Sequence, residues 1–222
     1  MIRLTAVDLQ QAYRYMGMHA KPDATMQQLA KDCEKRLLAA VVPRYFHLVC
    51  PIRETEDGIR CEGTTLLLTG KDIAAHLSGC DRAVILCATL SAGADTAIRQ
   101  AGAFDVLAGM MTDAMASALT EQLCDEAETE ILAGLPGLYP TWRFSPGYGD
   151  LPLTVQGDLL RSVNAEKRLG VTLSESGMLI PSKTVTALIG LSEAPIPMGK
   201  RGCAVCSMNQ TCPYRAKGVH CA

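Results

Sequence analysis

Between Phe104 and Leu132, the apolar residues Leu107, Met111, Met115, Leu119 and Leu123 recur at steps of four. An α-helix stacks positions so spaced on one side, and over so long a segment the row predicts a long amphipathic helix. Gly134-Leu135-Pro136-Gly137 ends it. Upstream, segment 6–17 suits a first helix, and Asp23 suits the N-cap of a second, which carries Met26, Leu29, Ala30, Cys33, Leu37 and Leu38 and stops at Pro43. YFHLVCPI and GIRCEGTTLLL read as two strands around an Asp57-Gly58 turn, and AVILCATL reads as a buried strand. Lys71 to Leu77 and Asp158 to Leu169 read as helices. Tyr139 to Asp150 reads as a strand running into a loop, and Lys183 to Leu191 as a further strand. Helices and strands mix without a βαβ rhythm. The expected fold is therefore α+β: a mainly antiparallel twisted sheet flanked by helices, over residues 1–197, with a Cys-rich C-terminal tail over residues 198–222.

Charge and hydropathy narrow the function classes. The formal net charge is -2 and no long basic run occurs, so the electrostatic footprint of a nucleic-acid binder is missing. The longest apolar run, Ala83 to Leu90, falls far short of the roughly 18 to 20 residues that a membrane span needs. The first residues carry Asp8 where a signal peptide would be apolar, so a cytoplasmic protein is expected. Of ten cysteines, Cys33, Cys50, Cys61, Cys80, Cys87 and Cys124 are scattered among apolar neighbours and are expected to be buried thiols. The other four crowd the last twenty residues.

Two segments carry candidate binding chemistry. In Arg143-Phe144-Ser145-Pro146-Gly147-Tyr148-Gly149-Asp150-Leu151-Pro152, Gly and Pro fix an irregular backbone. Arg143 offers a planar fork for a carboxylate, and Tyr148 offers a ring and a hydroxyl. Taken alone, this reads better as a surface loop. Leu173-Ser174-Glu175-Ser176-Gly177-Met178-Leu179-Ile180-Pro181-Ser182 reads as a helix end, a polar loop and entry into a strand.

Together the two segments resemble the activation domain of cobalamin-dependent methionine synthase. That family has an Arg-x-x-x-Gly-Tyr-Pro stretch, then a Leu-Thr-Glu-Ser-x-x-Met-x-Pro stretch at similar separation. The resemblance runs over Arg143 to Leu191. It extends more weakly to Ala118-Leu119-Thr120-Glu121-Gln122-Leu123, which looks like the family's Ala-x-x-Glu-x-Leu-His helix. It implies that Arg143 holds the carboxylate of S-adenosylmethionine, that Tyr148 lies near its sulfonium, that Ser145 gives backbone contacts and that Glu121 approaches the substrate's ammonium or the ligand pocket. Glu121 lies off the apolar stripe, about 200° from Leu123 on an ideal helix, and a solvated carboxylate is its alternative reading. Two departures stand out. Gly149-Asp150-Leu151-Pro152 replaces the family's Pro-Ala-Cys-Pro, and the family's early Asp-Trp-x-Pro-Phe-Phe segment has no counterpart.

The resemblance implies S-adenosylmethionine-dependent reductive methylation of cob(II)alamin, with the cobalamin carried by a partner methionine synthase or other corrinoid protein and an electron-donor protein beside it. It implies no catalytic triad or acid–base pair, only positioning. A reactivase of a different corrinoid methyltransferase and a zinc-stabilised adaptor without catalysis are the alternatives. In the tail, Cys203 and Cys206 can bind one metal from a single turn, Cys212 returns as a third ligand, and Cys221 or His220 can close the site. An iron–sulfur cluster or zinc would fit such a set.

Overall fold

The computed structural model describes residues 2–18, 20–196 and 210–211. The N-terminal half begins with α1 (Leu9–Tyr15) and α2 (Ala24–Ala40), then β1 (Arg44–Thr55), β2 (Gly58–Cys61), β3 (Leu67–Leu68) and α3 (Lys71–His76). There follow β4 (Arg82–Thr89), α4 (Ala92–Phe104), α5 (Val106–Ala133) and β5 (Tyr139–Pro140). Next come α6 (Gln156–Ser162), α7 (Ala165–Leu169), β6 (Thr172–Leu173), β7 (Leu179–Ile180) and β8 (Thr184–Ser192). Six strands form one sheet in the order β3-β2-β1-β4-β8-β5, and every neighbouring pair is antiparallel. The strands β6 and β7 form a separate ribbon. The expected α+β architecture is what the chain adopts. Residues 203, 206, 212, 220 and 221 lie outside the described residues.

The sheet is buried on both faces. Successive strand side chains point to opposite sides, so β4 sends Val84, Leu86 and Ala88 into one core with α1, α2, α4 and α5. Ile85 and Cys87 enter the other core, with α3, α6, α7, Phe144 and Leu151. A strand covered on both sides must be apolar throughout, and residues 83–89 are all buried.

Local signals explain the helix starts. Asp8, Asp23 and Asp105 each place a side-chain oxygen on a first-turn N–H, at Gln11, Met26 and Leu107. The long helix starts at Val106 because Asp105 caps it, and residues 92–104 form α4, a helix the apolar pattern does not announce. Helix α5 is enclosed rather than laid on one face: it packs against α1, α2, α4, β4 and β8. Of the row at steps of four, Met111, Met115, Leu119 and Leu123 are buried and Leu107 is exposed. The α4–α5 crossing depends on close backbone approach, since a Cβ on Gly109 would stand 2.7 Å from the Gly102 Cα. Three other readings change in detail. Residues 58–68 fold back as β2 and β3, around a turn in which Thr64 Oγ1 donates to the Cys61 carbonyl. The helix read over 158–169 breaks at Asn164, whose φ is 50°. Where the sequence suggests a helix end, a polar loop and entry into a strand, residues 172–180 form the β6–β7 ribbon.

Cys33, Cys50, Cys61, Cys87 and Cys124 are buried free thiols, and Cys80 is half-buried. Burial pushes Cys87 and Cys124 up from 9.0 to about 12. A raised folded-state pKa contributes stability in full below the unfolded value and loses it as pH rises through the folded value. Under reducing conditions, the unfolding free energy from urea denaturation should therefore fall from pH 9 towards pH 12, by at most about 1.4 kcal/mol per pH unit for each of the two thiols. A Cys87→Ala/Cys124→Ala variant should show a shallower fall in the same titration. Separately, Gly109→Ala should destabilise by about 1–3 kcal/mol because the two helix backbones must part. Gly102→Ala, whose Cβ would meet the Gly109 Cα at an ordinary 3.7 Å, should hold or raise the melting temperature.

Candidate ligand cleft

A cleft of about 710 Å³ opens between α5, the segment 142–148, the start of α6, the β6–β7 ribbon and the first half of β8. That size suits a nucleoside-sized ligand, within the ~300–1,000 Å³ usual for small-molecule pockets. Strand β8 supplies the floor. Along one of its faces, Thr184 and Thr186 line the cleft, while Leu188 enters the core. Thr184 Oγ1 donates to Thr89 Oγ1 at 2.8 Å, and Gln156 Nε2 donates to Thr186 Oγ1 at 2.7 Å. The Gln156 amide is buried at the start of α6 and faces the cleft.

The outer wall is the segment after β5. It docks on β8 through Thr141 N–H to the Gly190 carbonyl at 2.8 Å, and through reciprocal bonds between Phe144 and Leu188, both 2.8 Å. Beyond Phe144 the chain turns tightly: Tyr148 N–H donates to the Ser145 carbonyl at 3.1 Å, and Gly147 N–H to the Leu151 carbonyl at 2.8 Å. This turn leaves Tyr148 exposed at the rim, its ring edge-on to Phe144 at 6.3 Å. The rim opposite is the β6–β7 ribbon, where Ser174 Oγ accepts from Met178 N–H at 3.0 Å and meets Ser176 Oγ at 2.8 Å.

Glu121, Arg143, Ser145 and Tyr148, the four residues singled out in the sequence, all line this cleft. The surroundings of Arg143 were not anticipated. Its Nη1 donates to Glu128 at 2.6 Å and its Nη2 to Asp125 at 2.7 Å, with Glu121 at a longer 3.5 Å. The three carboxylates are spaced four and three residues apart, which sets them on one face of α5. Burial alone pushes the Arg143 pKa down. The hydrogen bond to Asp125 and the negative charges around it outweigh that and hold it above the ordinary arginine value. Arg143 thus ties the loop to α5, and Glu121, the least engaged of the three acids, is left facing the cleft. Asp125, Glu128 and Gln156 were missed in the sequence. Their signals were the repeat of acids along one helix face and an amide on the apolar side of α6.

The Gly149-Asp150 departure has a structural role. Asp150 accepts from the N–H groups of Lys71 and Asp72, at 2.6 and 3.0 Å, and so caps α3 from a distance. Gly149 has φ +53°, and a Cβ there would collide with the Asp72 carboxylate. Among the described residues, no group of three or more His, Cys, Asp or Glu side chains could hold a metal ion. Nor, among them, is any helix long and apolar enough to cross a membrane.

No protein-family model matches the chain, and no curated protein matches it in sequence. Its fold is that of the crystal structure of the MetH reactivation domain bound to AdoHcy. The two share a TM-score of 0.60 and 16% identity, over 83% of this chain and 73% of that one.

Asp150→Ala should cost about 1–2 kcal/mol, because two first-turn N–H groups of α3 lose their acceptor. Asp150→Asn should recover most of it. Urea denaturation of the three proteins reads the difference, and equal midpoints would remove Asp150 from the architecture of the loop.

Proposed function

We propose that the chain binds S-adenosylmethionine in this cleft and presents its methyl group to a cobalamin carried by a partner methionine synthase. The observation that carries the reading is the convergence of Glu121, Arg143, Ser145 and Tyr148 on one cleft, within a fold shared with an AdoHcy-bound domain. Cob(II)alamin takes one electron from a donor protein, and the resulting cob(I) centre attacks the sulfonium methyl. The C–S bond breaks, and methylcobalamin and S-adenosylhomocysteine are the products. Irreversible methyl transfer draws the unfavourable reduction forward. The chain's own residues position the donor and need supply no proton or nucleophile.

The division of labour follows from charge. S-adenosylmethionine carries a sulfonium, an ammonium and a carboxylate. Arg143 meets the carboxylate with guanidinium donors that α5 does not take, since a guanidinium has five and the three acids reach only Nη1 and Nη2. Glu121 faces the ammonium, and backbone groups of Ser145 hold the polar edge of the ligand. Tyr148, at the rim, stands where the methyl meets the incoming corrin. In this reading, residues 198–222 form an appended unit in which Cys203, Cys206, Cys212 and Cys221, or His220 in place of Cys221, hold one iron–sulfur or zinc centre.

Titration calorimetry should detect binding of S-adenosylmethionine, and Arg143→Ala and Arg143→Lys should each weaken it by about 1.5–3 kcal/mol. Mixed with cob(II)alamin-loaded methionine synthase and a chemical reductant, the protein should yield the absorption spectrum of methylcobalamin only when S-adenosylmethionine is present. Absence of binding by the unaltered protein would end this reading.

A further inference from the structure

Strand β8 is paired along its whole length on one side only, where residues 184–191 run beside β4. On its other side, Tyr139 and Pro140 pair with Ser192 and Leu191, Thr141 N–H donates to the Gly190 carbonyl, and Phe144 exchanges both backbone bonds with Leu188. The covering chain then turns away at Ser145. Hydrogen-bonding direction alternates along an antiparallel strand. The odd residues of this stretch point towards β4, since the carbonyls of Lys183 and Leu191 accept from Leu90 and Asp81 at its two ends. Leu188 and Gly190 point the other way. The register runs without a break from Leu191 to Thr184, so Thr186 and Thr184 also turn their N–H and C=O groups to the side that Phe144 leaves open. These four groups have no hydrogen-bond partner among the described residues. Both threonines are buried, and buried backbone groups are rarely left unpaired. The cleft lies along this open stretch: Thr184, Val185 and Thr186 line it, together with Phe144 and Ser145, where the cover ends.

We propose that this open edge of β8, from the Thr184 carbonyl to the Thr186 N–H, reads the adenine base of the nucleoside. The proposal rests on the reading of the cleft given above. The two groups are neighbours on the edge, one an acceptor and one a donor. Adenine presents the complement along one side of its ring, an N6–H donor next to a ring-nitrogen acceptor. The N6–H group donates to the Thr184 carbonyl, and the ring nitrogen accepts from Thr186 N–H. Helix α5 covers one face of the sheet and α6 the other, so a flat ring entering between them continues the plane of β8. The open stretch spans only about 7 Å, two residues at the rise of an extended chain. Phe144 closes one end and the β6–β7 ribbon the other. That length takes one aromatic ring and is too short for an added peptide strand. Hypoxanthine carries a carbonyl where adenine has its amino group. It would set one acceptor against another and leave the Thr184 carbonyl unpaired.

The test changes the ligand, because the readers are main-chain groups. Titration calorimetry compares adenosine with inosine, and S-adenosylhomocysteine with S-inosylhomocysteine, each pair differing only at the base. The adenine member of each pair should bind about 10- to 50-fold more tightly, since its partner loses a hydrogen bond and leaves a carbonyl unpaired. 1-Deazaadenosine and 7-deazaadenosine each lack one ring acceptor. One of the two should lose about three- to tenfold, and the other should stay within about twofold of adenosine. In NMR spectra, the Thr186 amide proton should shift downfield and exchange at least about tenfold more slowly when adenosine is bound. Equal affinities within each pair, two deaza compounds that both bind like adenosine, or a Thr186 amide that ignores bound adenosine would each overturn the edge. If adenosine binds with these preferences and S-adenosylmethionine does not bind, the proposed function falls and the edge stands. If neither adenosine nor S-adenosylhomocysteine binds at millimolar concentration, the edge is overturned as well.

Discussion

The pairing of β4 with β8 is the interaction on which the rest of the molecule depends. Eight residue pairs run from Arg82↔Leu191 to Thr89↔Thr184, and both strands are buried almost throughout. Two central strands with apolar side chains on both sides require cover on both sides, which is why helices occupy both faces of an antiparallel sheet. The same strand sets the position of the cleft. Along one face of β8, Leu188 packs in the core, while Thr186 and Thr184 carry hydroxyls into the cleft. There the cover of α6 gives way, and each hydroxyl finds a partner, Gln156 or Thr89. The change from leucine to threonine marks where the core stops and the ligand space begins. No buried side-chain nitrogen or oxygen among the described residues lacks a partner, so the polar floor carries no desolvation penalty left uncompensated.

Arg143 links that floor to the opposite wall. It sits on a loop hydrogen-bonded to β8, and its side chain, 20% exposed, joins three carboxylates of α5 through the guanidinium. A single cation among three acids leaves that flank of the cleft with excess negative charge. Such a flank repels anions and attracts cations. Removal of the cation would leave three acids close together with nothing to offset them. Arg143 is thus at once a lining residue of the cleft and a fixed part of the protein's own electrostatics.

Much of the fold was legible in the sequence because its signals were apolar and periodic. The run 83–90, the row from Met111 to Leu123 and the cap at Asp23 each had one physical solution, and each is found. Helix α4 was hidden because its contacts depend on the absence of side chains. Ala94, Ala97 and Ala101 are buried, Gly93 approaches the Ala40 carbonyl, and Gly102 meets Gly109, so no large residue announces a packed face. The enclosure of α5 was hidden for the same reason, since Gly109, Ala114 and Ala116 line its other sides. At the site, Arg143 and Tyr148 were visible only through a resemblance, because a Gly- and Pro-rich loop has no periodicity. The partners of Arg143 depend on how α5 and the loop meet in space, and no local pattern encodes that.

A shared fold at 16% identity means that few side chains are held in common. In this chain the loop docks on β8 beside the wall of α5, and its turn sends Tyr148 outward. The Gly149-Asp150 pair shows what holds that turn. A proline-rich turn is stiff through its rings. Here stiffness comes from outside the turn, through two hydrogen bonds from Asp150 to the start of α3 and through a glycine that lets the backbone pass the Asp72 carboxylate. Helix α3 is in turn fixed by Ile73 and Leu77, buried in the core behind the cleft. The position of Tyr148 is therefore set by that core and by the edge of β8 together, and the loop needs no rigidity of its own.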